Sequence, residues 1–259
     1  MAVITVVSAH SKVNICDILV DNLSPQESLD AIEYFIARRK PSYITNLNVD
    51  VAVRCQRDPA FRRYYWEGDL CLADGVPILW AAQFLGSPLK AKISGSDFVP
   101  LVCEMAGKRG YRVFFLGGRP GAASAAKKKL LEKFPDLNIV GTYSPPFGFE
   151  KDEVELTKIS RIIQAANPEI LFVGLGAPKQ ERWIRQYSRQ LGVPVSMGVG
   201  VTFEFIAGIV KRAPRWMQKT GLEWFWRLLM EPTRLWKRYL IEDPYFFKMV
   251  LQQKIRRGK

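Results

Sequence analysis

The sequence has few of the residues that build metal sites and histidine-dependent catalytic triads. Its 259 residues include one histidine, His10, and four cysteines. The cysteines, Cys16, Cys55, Cys71 and Cys103, lack the C-x-x-C spacing that is typical of zinc sites. This scarcity argues against a zinc centre or a Ser-His-Asp triad, and it favours reduced thiols in a cytoplasmic protein.

The chain also lacks a D-x-D motif, in which two acids are spaced to share one divalent ion. The nearest acidic pairs are Asp152–Glu153 and Glu242–Asp243, and both lie in stretches that predict solvated helix surface. We therefore expect no metal and no cofactor. Any anionic leaving group would then be stabilised by arginine, lysine and helix N-termini.

Long apolar runs are absent as well. No uninterrupted run reaches the roughly 18 residues of a membrane-spanning helix. The N-terminus lacks the charged, apolar and cleavage regions of a signal peptide. We expect a chain that neither crosses a membrane nor is exported by that route.

Positive charge is abundant and unevenly distributed. The formal net charge is +13, and residues 211–259 carry thirteen Lys or Arg against four acids, so nine of those charges lie in this last segment. Such an excess predicts a polyanionic partner, which is nucleic acid, an anionic membrane or a phosphorylated substrate.

Apolar strands alternate with helical stretches between residues 42 and 199. Short buried-type strands are predicted at 42–45, 70–73, 111–116, 137–142, 170–173 and 193–199, and another at 13–20. This alternation predicts an α/β fold with a Rossmann-like, mostly parallel sheet and helices on both faces. We divide the chain into a core, residues 1–208, and a basic, aromatic helical appendage, residues 209–259, which prolines at 214, 232 and 244 cut into three short helices.

Glycine turns follow several of the predicted strands. The stretch from 168 to 185 combines the strand at 170–173 with Gly174, Gly176 and a helix that we expect to begin at Pro178. Free backbone N–H groups and a helix dipole there predict an anion site, with Lys179, Gln180 and Glu181 around it. Glycines at 117–121 and 198–200 follow other strands in the same way, although any tight turn uses glycine. None forms G-x-G-x-x-G, which weakens a nicotinamide-dehydrogenase interpretation.

Polar side chains also stand at the ends of two strands. Asp74 lies between an apolar strand and Gly75, so it is either a cleft carboxylate able to act as a general base or the N-cap of the next helix. Thr45, Asn46 and Asn48 either bind a sugar or nucleobase or cap the helix from residue 49.

The appendage mixes arginine and lysine with tryptophan. This composition is typical of a membrane interface, where rings lie at headgroup level and cations meet lipid phosphate. Two alternatives remain at this point: a helical cap packed on the core with a solvated basic face, and a nucleic-acid surface. Glu223 and Glu231 argue against nucleic acid.

Taken together, several motifs resemble the WecG/TagA/CpsF family of glycosyltransferases along most of the chain. They are T-N-L-N at 45–48, A-D-G-V at 73–76, S-G-S-D at 94–97, F-F-L-G-G-R-P-G at 114–121, V-G-L-G-A-P-K-Q-E-R-W at 173–183, G-V-G-V-T-F-E-F-I-A-G at 198–208, K-R-A-P-R-W at 211–216 and E-W-F-W-R-L-L-M-E-P-T-R at 223–234.

The resemblance implies transfer of a sugar from a UDP-sugar donor to a polyprenyl-diphosphate-linked acceptor sugar, with inversion and without metal. The implied location is peripheral, on the cytoplasmic face of the cell membrane, in cell-envelope or exopolysaccharide synthesis. The transferred sugar is N-acetylmannosamine, its uronate or a hexose such as glucose. A homo-oligomer is compatible with the resemblance, and nucleic acid is not an expected partner.

The resemblance also implies roles for individual residues. Asp74 matches the proposed catalytic base and Thr45 a polar residue of the catalytic pocket, while Gln180 matches the glutamine of the P-K-Q-E motif. Arginines of the appendage are implied to reach the diphosphate. The expected substrate-binding residues are Asn46, Asn48, Gly75, Lys92, Gly95, Asp97, Gly117, Gly118, Gly174, Gly176, Lys179, Gln180, Glu181, Glu204, Arg212, Arg227 and Arg234.

Two positions depart from the family pattern. Lys92 stands near the place where an arginine is expected, and it carries charge without a bidentate fork. Glu204 follows Phe203 where the family has aspartate, which lengthens the side chain by one methylene. Both departures concern the donor sugar more than the reaction type. The rival functions are a nucleotide-cofactor oxidoreductase on the same kind of sheet and a non-catalytic nucleic-acid module.

Overall fold

The computed structural model describes residues 10–257. Within this range the chain forms eight strands. They are β1 (Lys12–Ile15), β2 (Ile18–Asp21), β3 (Ser42–Leu47), β4 (Leu70–Ala73), β5 (Arg112–Gly117), β6 (Asn138–Tyr143), β7 (Ile170–Gly174) and β8 (Val195–Gly198).

The helices of the described residues alternate with these strands and then continue to the C-terminus. They are α1 (Pro25–Arg38), α2 (Val49–Arg57), α3 (Pro59–Glu67), α4 (Val76–Phe84), α5 (Gly95–Arg109), α6 (Ala122–Lys133), α7 (Glu153–Ala166), α8 (Lys179–Leu191), α9 (Thr202–Ala207), α10 (Arg215–Lys219), α11 (Glu223–Met230), α12 (Pro232–Lys237) and α13 (Tyr245–Arg257). A short 3-10 turn spans Phe149–Lys151 and a π-helical turn spans Arg238–Glu242.

Six strands form one sheet in the order β4-β3-β8-β7-β5-β6. The pairs β3–β8, β8–β7, β7–β5 and β5–β6 are all parallel. Parallel strands need helical crossovers, and helices alternate with the strands of this sheet along the chain. The predicted α/β fold with a mostly parallel sheet is confirmed.

Burial is most complete in the middle of the sheet. Every residue of β7, Ile170–Gly174, is buried. Phe115 of β5 stacks on Phe203 at a centroid distance of 4.8 Å, which carries the core from the sheet onto α9. The four cysteines are buried and form no disulfide.

The chain divides into two compact units. Among the described residues, the first unit contains 25–45 and 95–210 and includes β5 to β8 with α5 to α9. The second contains 10–24, 46–94 and 211–257 and includes the β1–β2 hairpin, β4, α2 to α4 and the C-terminal helices.

Two local predictions are wrong, and one helix was not predicted. The strand expected at 13–20 is an antiparallel hairpin whose turn places Cys16 and Asp17 at positive φ. The unpredicted helix is α3, which Asp58 caps by accepting hydrogen bonds from the N–H groups of Ala60 and Phe61. The basic segment after 208 forms four α-helices and a π-helical turn rather than three helices, because an additional break between α10 and α11 contains Gly221 at φ +76° and no proline.

Within residues 10–257, no helix combines the length and the apolar character needed to cross a bilayer.

Candidate active site

Asp74 follows directly after β4, at the carboxyl end of the strand. Its N–H donates to the carbonyl of Leu47 at 2.8 Å, which places it beside the end of β3. The helix that follows begins at Val76 with Gly75 as its N-cap, at φ +99°, and no side chain caps this end. The N-cap alternative for Asp74 is therefore wrong, and its carboxylate is available for other contacts.

One of those contacts comes from Asn48. Its amide Nδ2 donates to Asp74 Oδ2 at 3.3 Å, while its Oδ1 accepts from the N–H of Val51 at 3.0 Å. Asn48 therefore caps α2 and orients the Asp74 carboxylate at the same time. The capping interpretation of Asn48 is therefore confirmed, and binding of a sugar or nucleobase by this residue stays a prediction.

Charged groups of the second unit act on Asp74 with opposite signs. Burial raises the pKa of the Asp74 carboxyl above its ordinary value, and the carboxylate of Glu223 adds to the rise. The Asn48 hydrogen bond, Lys92 and Arg227 act in the other direction and lower this pKa. Ile93, next to Lys92, donates its N–H to the carbonyl of Ala73 at 2.7 Å, so residues 92–93 are hydrogen-bonded to the last residue of β4, directly before Asp74.

Glu223 is a residue of this cluster that the sequence analysis missed. It stands four residues before Arg227 on α11, so the two share a helix face, and this i, i+4 spacing was a signal available in the sequence. Its Oε1 lies 3.9 Å from Nε of Arg212, which connects a second predicted arginine to the group. Arg234 instead forms its ion pair with Glu231 and has a side chain that is 56% exposed.

The glycine turns of the first unit pack tightly against one another. Gly118 donates its N–H to the carbonyl of Gly174 at 2.8 Å. A Cβ added to Gly117 would lie 2.5 Å from the Gly174 oxygen, and one added to Gly174 would lie 2.9 Å from the Gly200 oxygen. These approaches require glycine for reasons of packing. Gly176 differs, because its φ of +75° requires glycine although a Cβ there would meet open space.

Gln180 joins two of these turns. The helix begins at Lys179, with Pro178 at the N-cap after a cis peptide bond, rather than at Pro178 as expected. The buried Oε1 of Gln180 accepts from the N–H of Gly200 at 3.0 Å and from that of Gly176 at 3.2 Å. Its Nε2 donates to Glu181 at 3.0 Å. Gly198 leaves the room for this amide, because a Cβ there would lie 2.8 Å from Nε2.

Glu204 presents one carboxylate oxygen that has no hydrogen-bond partner among the described residues. The side chain is 5% exposed; its Oε1 accepts from the N–H of Arg119 at 2.9 Å, and its Oε2 is buried and unsatisfied. Because an unpaired buried acceptor is costly, a donor group on a ligand would stabilise this site.

Lys179 is held by the segment after β6. Its Nζ lies 2.6 Å from Glu150 Oε1 and 4.9 Å from the centroid of the Phe147 ring. The ammonium predicted to meet an anionic ligand is therefore already neutralised by Glu150.

The remaining predicted positions fall in both units. Thr45 is buried near the end of β3, and Gly95 begins α5, where a Cβ would lie 3.2 Å from the Thr202 hydroxyl. Asp97 lies in the first turn of α5 and is half-buried, and Asn46 is half-buried at the end of β3.

No group of three or more His, Cys, Asp or Glu within 10–257 is arranged to hold a metal ion. Of the two acidic pairs, Asp152 is exposed as expected and is the N-cap of α7, whereas the assignment of Asp243 to solvated surface is wrong. Asp243 is 9% exposed and lies 3.7 Å from Nε of Arg238. Burial raises its pKa to about 6.

The chain is similar to several known proteins. A relative from Bacillus subtilis (strain 168) is 30% identical over 227 residues, covering 87% of this chain and 86% of its own. One from Bacillus spizizenii is 30% identical over 82% of this chain and 79% of its own, and one from Staphylococcus aureus (strain MW2) is 29% identical over 97% and 98%. All three carry the name N-acetylglucosaminyldiphosphoundecaprenol N-acetyl-beta-D-mannosaminyltransferase.

The sequence model of the glycosyl transferase WecG/TagA/CpsF family matches residues 13–259. The match includes both the strand ends that present Asp74 and Gln180 and the C-terminal helices that supply Glu223 and Arg227. The chain therefore belongs to the WecG/TagA/CpsF family of glycosyltransferases.

Proposed function

We propose that this protein is an inverting, UDP-sugar-dependent glycosyltransferase. It transfers N-acetylmannosamine to a polyprenyl-diphosphate-linked N-acetylglucosamine during synthesis of a cell-envelope polymer. The observation that carries the proposal is the Asp74 carboxylate, which stands at a strand end, leaves its helix uncapped and is oriented by Asn48. The relatives' names motivate the choice of acceptor and of transferred sugar.

In this reaction Asp74 is the general base. It removes the proton from the attacking hydroxyl of the acceptor sugar while the bond from the anomeric carbon to UDP breaks on the opposite side. Burial raises the pKa of Asp74, so the ionised carboxylate is a stronger base than an exposed aspartate. The Asn48 amide and the charges of Lys92 and Arg227 keep that carboxylate from being protonated too readily.

A single displacement inverts the anomeric configuration. The relatives' names specify a β-linked product, which an α-linked nucleotide sugar gives in one step. UDP leaves with additional negative charge, and positive groups must stabilise it. Lys92, Arg212, Arg227 and Arg234 are the candidates by charge. No divalent ion is invoked, and equal rates with and without a chelator are the expected result.

A separate set of candidate ligand groups lies within the first unit. The turn at 174–176 precedes the N-terminus of α8, the N–H groups of Gly176 and Gly200 donate to Gln180, and Glu204 Oε2 is an acceptor without a hydrogen-bond partner among the described residues. Gly117, Gly118 and Gly95 have no side chain and let neighbouring parts of the first unit pack closely against them. We assign the donor nucleotide to these groups, since N–H groups at a helix N-terminus suit phosphate and a buried carboxylate suits an N–H of a base.

We propose that the C-terminal segment associates with an anionic membrane surface on its cytoplasmic side, where a polyprenyl-linked acceptor is embedded. Neither α11 nor the π-helical turn contains a buried residue. Large apolar side chains of the C-terminal segment are exposed, including Leu229 of α11 at 56%, Trp236 of α12 at 50%, and Leu240 and Ile241 of the π-helical turn at 57% each. With lysine and arginine close in sequence, these side chains suit the headgroup region of a bilayer.

The test is a transfer assay with a panel of UDP-sugars and lipid-linked N-acetylglucosamine diphosphate. We expect a β-linked disaccharide lipid from UDP-N-acetylmannosamine, and no product from Asp74→Asn, which still binds UDP. Asp136→Asn, at an exposed aspartate of the first unit, is the matched control and keeps full activity. Normal turnover by Asp74→Asn would refute the base assignment, and tight NAD(P) binding without any response to UDP would favour an oxidoreductase.

A further inference from the structure

Two side chains at the start of α2 make polar contacts with different partners. Asn48, its N-cap, donates to Asp74. Two residues later, Asp50 is 5% exposed and receives the side chain of Arg54 at 3.0 Å, an i, i+4 pair within the helix. A helical turn is stiff, so displacement of Asp50 also displaces Asn48.

A second arginine reaches the same carboxylate from the C-terminal segment. Nε of Arg238 lies 3.6 Å from Asp50 Oδ1 and 3.7 Å from Asp243 Oδ2. The guanidinium is thus shared between two acids, one on α2 and one just before α13. Two arginines and two aspartates balance in charge, and all four belong to the second compact unit.

Asp50 already has favourable partners within its own helix. A carboxylate in the first turn of a helix interacts favourably with the positive end of the helix dipole, and Arg54 supplies a hydrogen-bonded partner. The additional arginine therefore has a different consequence. It fixes the place where the C-terminal segment meets the helix whose cap orients Asp74.

We propose that Arg238 and Asp50 are positioning residues for Asp74, acting through the first turn of α2 and the side chain of Asn48. This inference rests on the proposed role of Asp74 as a base. Docking of the C-terminal segment then does more than supply charge near the site. It also holds the amide that orients the base.

Two kinetic consequences distinguish positioning from simple structural support. Misplacing the base lowers kcat while the KM for the donor changes little, and such misplacement costs about tenfold to a hundredfold. A weaker Asn48 contact also removes a group that lowers the pKa of Asp74. The acid limb of the pH profile of kcat/KM then moves to higher pH, while the effects of Glu223, Lys92 and Arg227 on the pKa of Asp74 stay unchanged.

The experiment compares Asp50→Asn, Arg238→Gln and their double variant in the transfer assay, with Arg238→Lys as the conservative variant. We expect both single variants to lose about tenfold or more in kcat. The kcat of the double variant should be no lower than that of the less active single variant, because the two residues act on one contact. Arg238→Lys restores most of the activity, and the acid limb shifts upward in the impaired variants.

The matched control is Arg109→Gln, which breaks an exposed arginine–glutamate pair with Glu33 in the first unit and should leave both kcat and the pH profile unchanged. Additive losses, an unshifted acid limb or losses that track the unfolding midpoint would overturn the positioning role. If wild type transfers sugar, Asp74→Asn is inactive and the Arg238 variants match the control, this inference alone fails. An inactive wild type, or an active Asp74→Asn, overturns the proposed function as well.

Discussion

Replacing Gln180 by alanine tests whether its side chain holds the glycine turns of the first unit together. In the structure the Gln180 amide is 8% exposed and accepts from the N–H groups of Gly200 and Gly176. Alanine leaves both N–H groups without this acceptor and removes the donor that Gln180 supplies to Glu181. An unsatisfied buried group costs about 1–3 kcal/mol. Because both glycines are half-buried and gain some water, we expect a loss of about 2–4 kcal/mol in the free energy of unfolding.

The assay is denaturant unfolding followed by UDP titration. The midpoint should fall at unchanged slope, since the change affects stability rather than the surface exposed on unfolding. UDP affinity should fall at least tenfold if the turns at 174–176 and 198–200 hold the nucleotide, a change equal to about 1.4 kcal/mol.

Two variants sharpen this prediction. Gln186→Ala removes an exposed glutamine from the same helix and should cost no more than about 0.5 kcal/mol. Gln180→Glu keeps an acceptor for both N–H groups but places a second carboxylate beside the buried Glu181, so it separates the accepting role from the donating role. If Gln180→Ala is as stable as Gln186→Ala and binds UDP normally, the amide does not brace the turns and our reasoning is wrong.

Three further predictions concern charge and surface. Glu223→Gln removes a group that raises the pKa of Asp74, so the acid limb of kcat/KM should move to lower pH, whereas Lys92→Met should move it to higher pH; shifts of the same sign in a pH–rate series would contradict the assignment. Asp243 has a folded pKa of about 6 against an ordinary 3.8, so its contribution to stability is complete below pH 3.8 and is lost as pH rises through about 6. The loss is at most about 3 kcal/mol before solvent screening, and chemical denaturation of Asp243→Asn across this range should show a flatter pH dependence than wild type. Leu240→Glu with Ile241→Glu should reduce sedimentation with anionic vesicles while UDP affinity stays unchanged; equal partition of wild type and variant would remove these side chains from the membrane proposal.

Much of the fold could be predicted from the sequence, because in many segments the local residue pattern and the tertiary packing favour the same element. β4 is correct to the residue, and β7 differs from its predicted bounds by one glycine, since both are continuous apolar runs bounded by turn residues. Elsewhere local pattern was ambiguous. The hairpin of β1 and β2 has no glycine at its turn, and its two positive-φ residues, Cys16 and Asp17, gave no turn signal.

The candidate site could be predicted in its residue types but not in its partnerships. The position of Asp74 at the end of a strand could be predicted from the sequence. Whether Asp74 is a helix cap or a cleft carboxylate depended on where the next helix begins. Glu223, Asp50 and Arg238 were missed because each matters through a residue far away in sequence. Lys179 was expected to meet a ligand, and only the folded chain shows it paired with Glu150.

By itself, the sequence determined the class of sheet, the strand ends that carry polar residues and the family, because these depend on periodicity and on short motifs. The tertiary structure alone decided which charges face one another. Asn48 is both a helix cap and the partner of Asp74, and Gln180 binds two turns that lie more than twenty residues apart in the chain. The physical reason is that ion pairs and buried hydrogen bonds act over a few ångströms in space, and distance along the chain does not determine distance in the fold.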